Sequence, residues 1–310
     1  MTELRQKVKS ALNEGRTLVL GAEVLIGFEF RAAFQPKFDQ LPLAIRYSRL
    51  TGLCFILVAL ALLIAPATYH RIVEKGSDSP SLLNYITRII EIALLPFALG
   101  LGIDLYLAAE RITGSKSGLL AGVMTTGFAL FCWYGWGLIQ RHRREEEGIV
   151  TNESMLAQGS ALPSTTLDDK IEHVLTETRV VLPGVQALLG FQLTIMLSES
   201  FDQLPSWSKY AHLSSLALIA ISIVLLITPA AYHRIVERGE NTEGFHSFAS
   251  RILLAAVIPL ALGISGDFFV VVHRMTHPVL FAIVAASTLL AVFYGLWFAL
   301  PIYRRIRSKQ

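Results

Sequence analysis

Three sets of residues in this 310-residue chain have types and spacings that could do chemistry. The first is Ala65-Pro66-Ala67-Thr68-Tyr69-His70-Arg71-Ile72-Val73-Glu74, written again as Thr228-Pro229-Ala230-Ala231-Tyr232-His233-Arg234-Ile235-Val236-Glu237. Each copy closes an apolar run. The proline removes a backbone donor and bends the helix as it leaves a bilayer. On one reading Tyr69 and Tyr232 then sit at headgroup level, where Arg71 and Arg234 reach lipid phosphates. On the other, His70 and His233 form a symmetric pair that titrates protons or binds a metal. The second set is Asp104 and Asp267, each in the outer part of an apolar run. A carboxylate there must be protonated, hydrated or paired, with Arg111 and Arg274 as the nearby cations. The third is Glu23 and Glu29, which become Gln186 and Gln192 in the second copy. Their spacing of six puts them on different helix faces, and the exchange keeps hydrogen bonding while removing charge. Glu23 is the best single candidate for an intramembrane protonatable group.

Other chemistry is missing. A b-type haem needs two imidazoles facing each other inside a bundle. Of the eight histidines only His70 and His233 recur; His142, His173, His212, His246, His273 and His277 are expected in loops or at interfaces. No phosphate-binding glycine loop, nucleophile triad or metal-spaced His/Cys cluster is present. No catalytic residue, metal site or cofactor is therefore expected, and the chain reads as a non-enzyme. Cys54 and Cys132 both lie in apolar runs and cannot build a disulfide framework. Lys and Arg total 27 against 24 Asp and Glu, too even a balance for a nucleic-acid partner.

The elements that must position these residues are membrane spans. The chain is 53% apolar and 16% charged, with a mean hydropathy of +0.52, far from a soluble domain of this length. Six runs are long enough to cross a bilayer: 50–69, 89–109, 119–139, 213–232, 252–272 and 279–301. Two more polar ones, 17–34 and 180–197, complete a set of about eight. Leu4, Val8 and Leu12, and likewise Ile171, Val174 and Leu175, predict interfacial amphipathic helices over 1–16 and 168–179.

The two halves are copies. A shift of 163 lays Phe38-Asp39-Gln40-Leu41-Pro42 on Phe201-Asp202-Gln203-Leu204-Pro205, and Arg88, Pro96, Gly100 and Asp104 on Arg251, Pro259, Gly263 and Asp267. Roughly four in ten positions agree between Glu14 and Gly76 and their matches, which marks a tandem duplication. The expected organisation is a four-helix repeat over 1–144, a cytoplasmic linker over 145–167 and a second four-helix repeat over 168–310. The tails, the linker and the second-to-third loops hold 19 of the 27 Lys and Arg, which places both termini in the cytoplasm. An even number of spans per half makes the repeats parallel. The fold class is thus an all-α membrane protein, about eight helices in two parallel-repeat four-helix units.

One resemblance adds to this. Glu177-x-Arg179, Pro183-Gly184-Val185-Gln186, a phenylalanine in the first span and Pro-x-x-Tyr-His-Arg after the second resemble an uncharacterised bacterial integral-membrane family, a domain of unknown function usually present in one copy. In the first half Leu20-Gly21-Ala22-Glu23 replaces the Pro-Gly-Val-Gln run. The resemblance implies a fused version of a dimer in the bacterial cytoplasmic membrane, and brings no activity, substrate or cofactor. The expected role is a non-enzymatic subunit that binds lipid or membrane-protein partners. The alternatives are a small-molecule or proton-linked carrier and, third, a haem protein.

Overall fold

In the computed structural model the chain is described over residues 3–135, 166–235, 237 and 241–307. The expected linker over 145–167 falls almost wholly outside these. The first half comprises α1 (Glu3–Ala32), a short 3-10 turn (Pro36–Gln40), α2 (Leu43–Ile72), α3 (Pro80–Thr113) and α4 (Ser115–Leu130), which runs into a π-helical turn, Phe131–Gly135. The second comprises α5 (Leu167–Ile195), a single turn Glu199–Asp202, α6 (Ser206–Ile235), α7 (Glu243–Thr276) and α8 (Val279–Tyr294). A π-helical turn Gly295–Ala299 joins α8 to α9 (Leu300–Arg307). Helices are the only regular structure among the described residues. This is what a hydrocarbon environment demands, because a helix satisfies its backbone polar groups within itself.

Six helices are long and apolar enough to cross a membrane: Leu43–Ile72, Pro80–Glu110, Leu167–Ile195, Ser206–His233, Glu243–Thr276 and Val279–Arg307. Helices α1 and α4 fall outside that set for different reasons. Helix α1 is long, but Arg16, Glu23, Glu29 and Arg31 make it polar; it buries Ala22, Ile26 and Phe30 against its neighbours instead. Helix α4 has 16 residues, and the rest of the expected run 119–139 extends past residue 135.

The start signals are local and repeat. Ser79 caps α3 by accepting from the Leu82 amide at 3.0 Å, and Thr242, its match 163 residues on, caps α7 from Phe245 at the same distance. Helix α5 begins with a capping box between Thr166 and Asp169. The predicted interfacial helices need correction: 3–16 and 167–179 are the first turns of the unbroken α1 and α5. Val8 and Leu12 are buried with Leu82, Tyr85 and Ile86 of α3, and Ile171 and Val174 with Phe245 and Ala249 of α7. The apolar stripe that predicted a membrane-surface helix packs on protein.

The packing order is the same in each half: α1 on α2, α2 on α3, α3 on α4, and α5 on α6, α6 on α7, α7 on α8. The halves join where α1 lies along α5, and one apolar core runs through both. Two contacts across this seam join residues 163 apart: Lys9 Nζ to Glu172 Oε1 at 2.6 Å, and the rings of Phe28 and Phe191 at 4.6 Å. The segment after α8 leans on α2, where Trp297, fully buried, donates its indole N–H to the Ala61 carbonyl at 2.8 Å. Glycine sets the approach of α3 to α2 and of α7 to α6. A Cβ on Gly100 would lie 3.3 Å from the Gly52 carbonyl oxygen, and one on Gly263 would lie 3.0 Å from that of Ser215.

The same-numbered loops gather at one end. Asp39, after α1, pairs with Arg274 near the end of α7, and Arg274 lines a polar recess of about 240 Å³ with Ser200, Gln203 and His277. The hydrogen bond from Arg274 holds the half-exposed Asp39 carboxyl below the usual carboxylate range; partial burial opposes this, and Arg46 and His277 add to it. A depressed carboxyl stabilises the fold above its unfolded pKa, about 3.9, and loses that contribution as pH falls through the lower folded value. The Asp39→Asn variant is therefore expected to show a flatter acid-side decline of thermal midpoint than the parent. Parallel declines below pH 4 would count against the tie.

Candidate functional site

Glu177 of α5 is the centre of a densely bonded polar group, 2% exposed and deep in the seam between halves. Arg71 of α2 donates to its Oε2 from Nε at 2.9 Å and from Nη2 at 2.7 Å. His70 Nδ1 lies 3.3 Å from Oε1, and Arg16 Nη2 of α1 lies 3.8 Å from the same oxygen. Arg71 Nη1 reaches Ser250 of α7 at 3.5 Å. Behind this, His173 Nε2 stands 3.6 Å from Asp78 Oδ2, and the His70 and His173 rings meet edge-on at 5.7 Å. Helices α1 and α2 of the first half thus converge on one carboxylate of the second, and α7 joins them through Arg71. Burying charges is costly, and is recovered only when geometry and additional hydrogen bonds are good, as they are here for the Arg71 fork.

This arrangement corrects the reading of the repeated motif. Arg71 is buried and spent on Glu177, so it does not reach lipid phosphates. His70 and His233 do not form a pair: His70 faces Glu177 and His173, whereas His233 Nε2 sits 3.3 Å from Asn241 Oδ1, its ring 4.7 Å from that of Phe245. Tyr69 is buried and stacks on Tyr85 at 4.1 Å, and the half-buried Tyr232 packs on Phe248 at 4.3 Å, the position matching Tyr85. Both tyrosines are therefore packing groups. The Arg234 side chain lies outside the described residues.

Toward the other end each half holds a second polar cluster, and the two occupy matching positions. In the first, Glu29 of α1 lies 3.5 Å from Arg49 of α2, with the Asp104 carboxyl of α3 beside it. In the second, Asp267 of α7 accepts from Gln192 of α5 and faces His212 Nδ1 of α6 at 2.9 Å, while His212 Nε2 donates to the Gln192 carbonyl at 3.2 Å. The shift of 163 maps Glu29, Arg49 and Asp104 onto Gln192, His212 and Asp267. With its Nε2–H committed to a carbonyl, His212 shares the proton of its Nδ1 contact with Asp267. The expected partners differ: Arg274 is paired with Asp39, and the Arg111 side chain lies outside the described residues. His212, expected at an interface, is 1% exposed within α6, and His173 is also buried in a helix.

Glu23 stands apart from both groups. It is fully buried, and neither carboxyl oxygen has a hydrogen-bond partner among the described residues. It occupies the space above Gly184 on α5, where a Cβ would collide with its Oε2. Its counterpart Gln186 is exposed, so the seam is not symmetric here.

Sequence reasoning quoted Glu177 only within the family resemblance, and missed Arg49 and His212 as site residues. The repeat alignment carried a signal for these two, since a basic residue stands at both matched positions although its type changes.

Between the halves, just beside Glu177, lies a cavity of about 60 Å³. Arg16, Arg71 and Glu177 line it, and the rest of its wall is mainly apolar, from α1, α2, α3, α6 and α7. An open apolar groove of about 450 Å³ between α3 and α4 passes Gly102 and Gly122. Neither of these nor the recess at Arg274 is lined by Asp104 or Asp267.

The comparison with protein families decides what the chain is related to. The pattern of the Family of unknown function (DUF6328) matches twice, over residues 2–136 and again over 162–301. The chain belongs to that family. The double match fits two copies of one unit, as the 163-residue shift indicates. No curated protein and no solved structure matches the chain.

Proposed function

We propose that this family member is a non-enzymatic protein of the bacterial inner membrane that binds lipid or a membrane-protein partner. In this reading it has eight spans, with α1 and α4 as the additional two, arranged as two parallel four-helix units with cytoplasmic termini. The gathering of 36–42, 199–205 and Arg274 at one end supports the same orientation for both units. The observation that carries the function is the cavity beside Glu177: its wall is mainly apolar and it lies between the units, while the carboxylates of Glu177 and Asp267 are tied to their neighbours. Such an interior holds a ligand better than it conducts one.

A proton-linked carrier is the second reading, favoured by the buried Glu23 and by the His212–Asp267 contact. The readings separate in proteoliposomes loaded with a pH-sensitive dye. Under an imposed gradient the protein is expected to give no more proton flux than empty vesicles, while natively purified protein retains a lipid or protein partner by mass spectrometry. Flux that Glu23→Gln abolishes would overturn the binding role in favour of transport.

A further inference from the structure

The cavity between the halves has a chemically asymmetric wall. Two of its charged lining groups are guanidiniums, Arg16 and Arg71, and one is a carboxylate, Glu177, which leaves one positive charge in excess. Arg71 is committed to Glu177 through two N–H groups. Arg16 is not so committed. Its Nη1 donates to Asn13 at 2.6 Å, but its Nη2, with no hydrogen-bond partner among the described residues, is buried and stands beyond hydrogen-bonding distance of Glu177, at 3.8 Å. Arg16 as a whole is 6% exposed. A buried guanidinium N–H without an acceptor is costly, and the surrounding wall offers little else to accept it. Beyond the charged end the lining is apolar, including Val19, Leu63, Leu226 and Val257. A water needs about 10–15 Å³ by this measure, so 60 Å³ holds a stem of a few carbons and not a whole lipid.

We infer that this cavity binds an amphiphilic anion, a carboxylate or phosphate head accepting from Arg16 Nη2 with its apolar stem between α2, α6 and α7. The inference rests on the binding role proposed above and gives that role a site and a ligand class. The head can belong to a free fatty acid or alkyl phosphate, or to an anionic lipid whose chain root enters the cavity. Arg16 supplies the charge-assisted hydrogen bond, and the wall selects the chain.

The test uses the full chain in neutral detergent, dialysed to equilibrium against radiolabelled octanoate, octyl phosphate and octyltrimethylammonium. Native mass spectrometry with dioleoyl phosphatidic acid and with phosphatidylcholine runs beside it. The expected result is one octanoate or octyl phosphate per chain and no matching site for the cation of equal chain length. Arg16→Gln is expected to weaken the anion about tenfold or more, and Arg16→Lys to restore most of it, with helix content by circular dichroism unchanged. Ala67→Phe, which fills the lining, is expected to remove binding. Preference for the free anions identifies a free amphiphile as the ligand; preference for phosphatidic acid over phosphatidylcholine identifies a lipid headgroup. Equal binding of the octyl cation, or undiminished anion binding in both Arg16→Gln and Ala67→Phe, overturns the site. Proton flux in the proteoliposome assay would overturn the wider role without altering these binding ratios, so the two failures are distinguishable.

Discussion

Replacing Glu177 with glutamine is expected to destabilise the folded bundle by about 3–5 kcal/mol, the usual cost of removing one partner from a buried ionic group. Arg71 would bond at most to a neutral amide oxygen in place of a carboxylate, and Arg16 and His70 would lose the charge they face. Chemical unfolding of the detergent-solubilised chain measures this. Two comparisons sharpen it. Glu177→Gln combined with Arg71→Gln should be less destabilised than the sum of the single variants, because the second change removes the stranded cation. Glu14→Gln, at the matching position of the first half, should stay within about 0.5 kcal/mol of the parent, because Glu14 is exposed and bonds only to Ser10 at 3.2 Å. Equal effects at positions 14 and 177 would contradict the role given to Glu177.

The second large effect concerns the seam at Gly184. The side chain of Glu23 fills the space that a Cβ at Gly184 would need, so Gly184→Ala must push α5 from α1 or drive the carboxyl out of place. Overpacking of this kind costs about 1–3 kcal/mol. Adding Glu23→Ala should recover most of the loss, since it removes the colliding group together with an unpartnered buried carboxyl. Gly190→Ala on the same helix meets open space and should be neutral or stabilising by about 0.5–1 kcal/mol. The same unfolding assay reads all three variants, and a Gly184→Ala variant as stable as Gly190→Ala would refute the packing described.

Much of the architecture is legible in the sequence, and the reason is repetition. Patterns too weak to read once, such as the polar α1, become readable when a shift of 163 lays them on a second copy. The same shift predicts the matched caps at Ser79 and Thr242 and the matched approaches at Gly100 and Gly263. What repetition hides is asymmetry. Glu14 and Glu177 are identical by sequence, yet Glu177 meets His70 and Arg71 of the other half while Glu14 is exposed. Glu23 and Gln186 diverge in the same way across the seam. Reading recurrence as the mark of function also directed attention to His70 and His233 as a pair and away from His212, whose counterpart is Arg49. The two serve the same geometric place with different basic side chains, and only the three-dimensional contacts, His212 to Asp267 and Arg49 to Glu29, show it. The amphipathic starts of α1 and α5 misled for a related reason: a periodic apolar face records burial, not whether lipid or protein covers it.

Cysteine accessibility in intact and opened cells tests most directly that two units, the same way up, close around one charged seam. Cys54 and Cys132 are first replaced by alanine, and single cysteines are then placed at Gln40 and Gln203, which are exposed at one end, and at Ser81 and Glu243, exposed at the other. An impermeant maleimide is expected to label positions 40 and 203 in intact spheroplasts, and 81 and 243 only after the membrane is opened. Labelling of 40 and 203 from opposite sides would contradict the parallel arrangement and, with it, the seam at Glu177 and the cavity beside it.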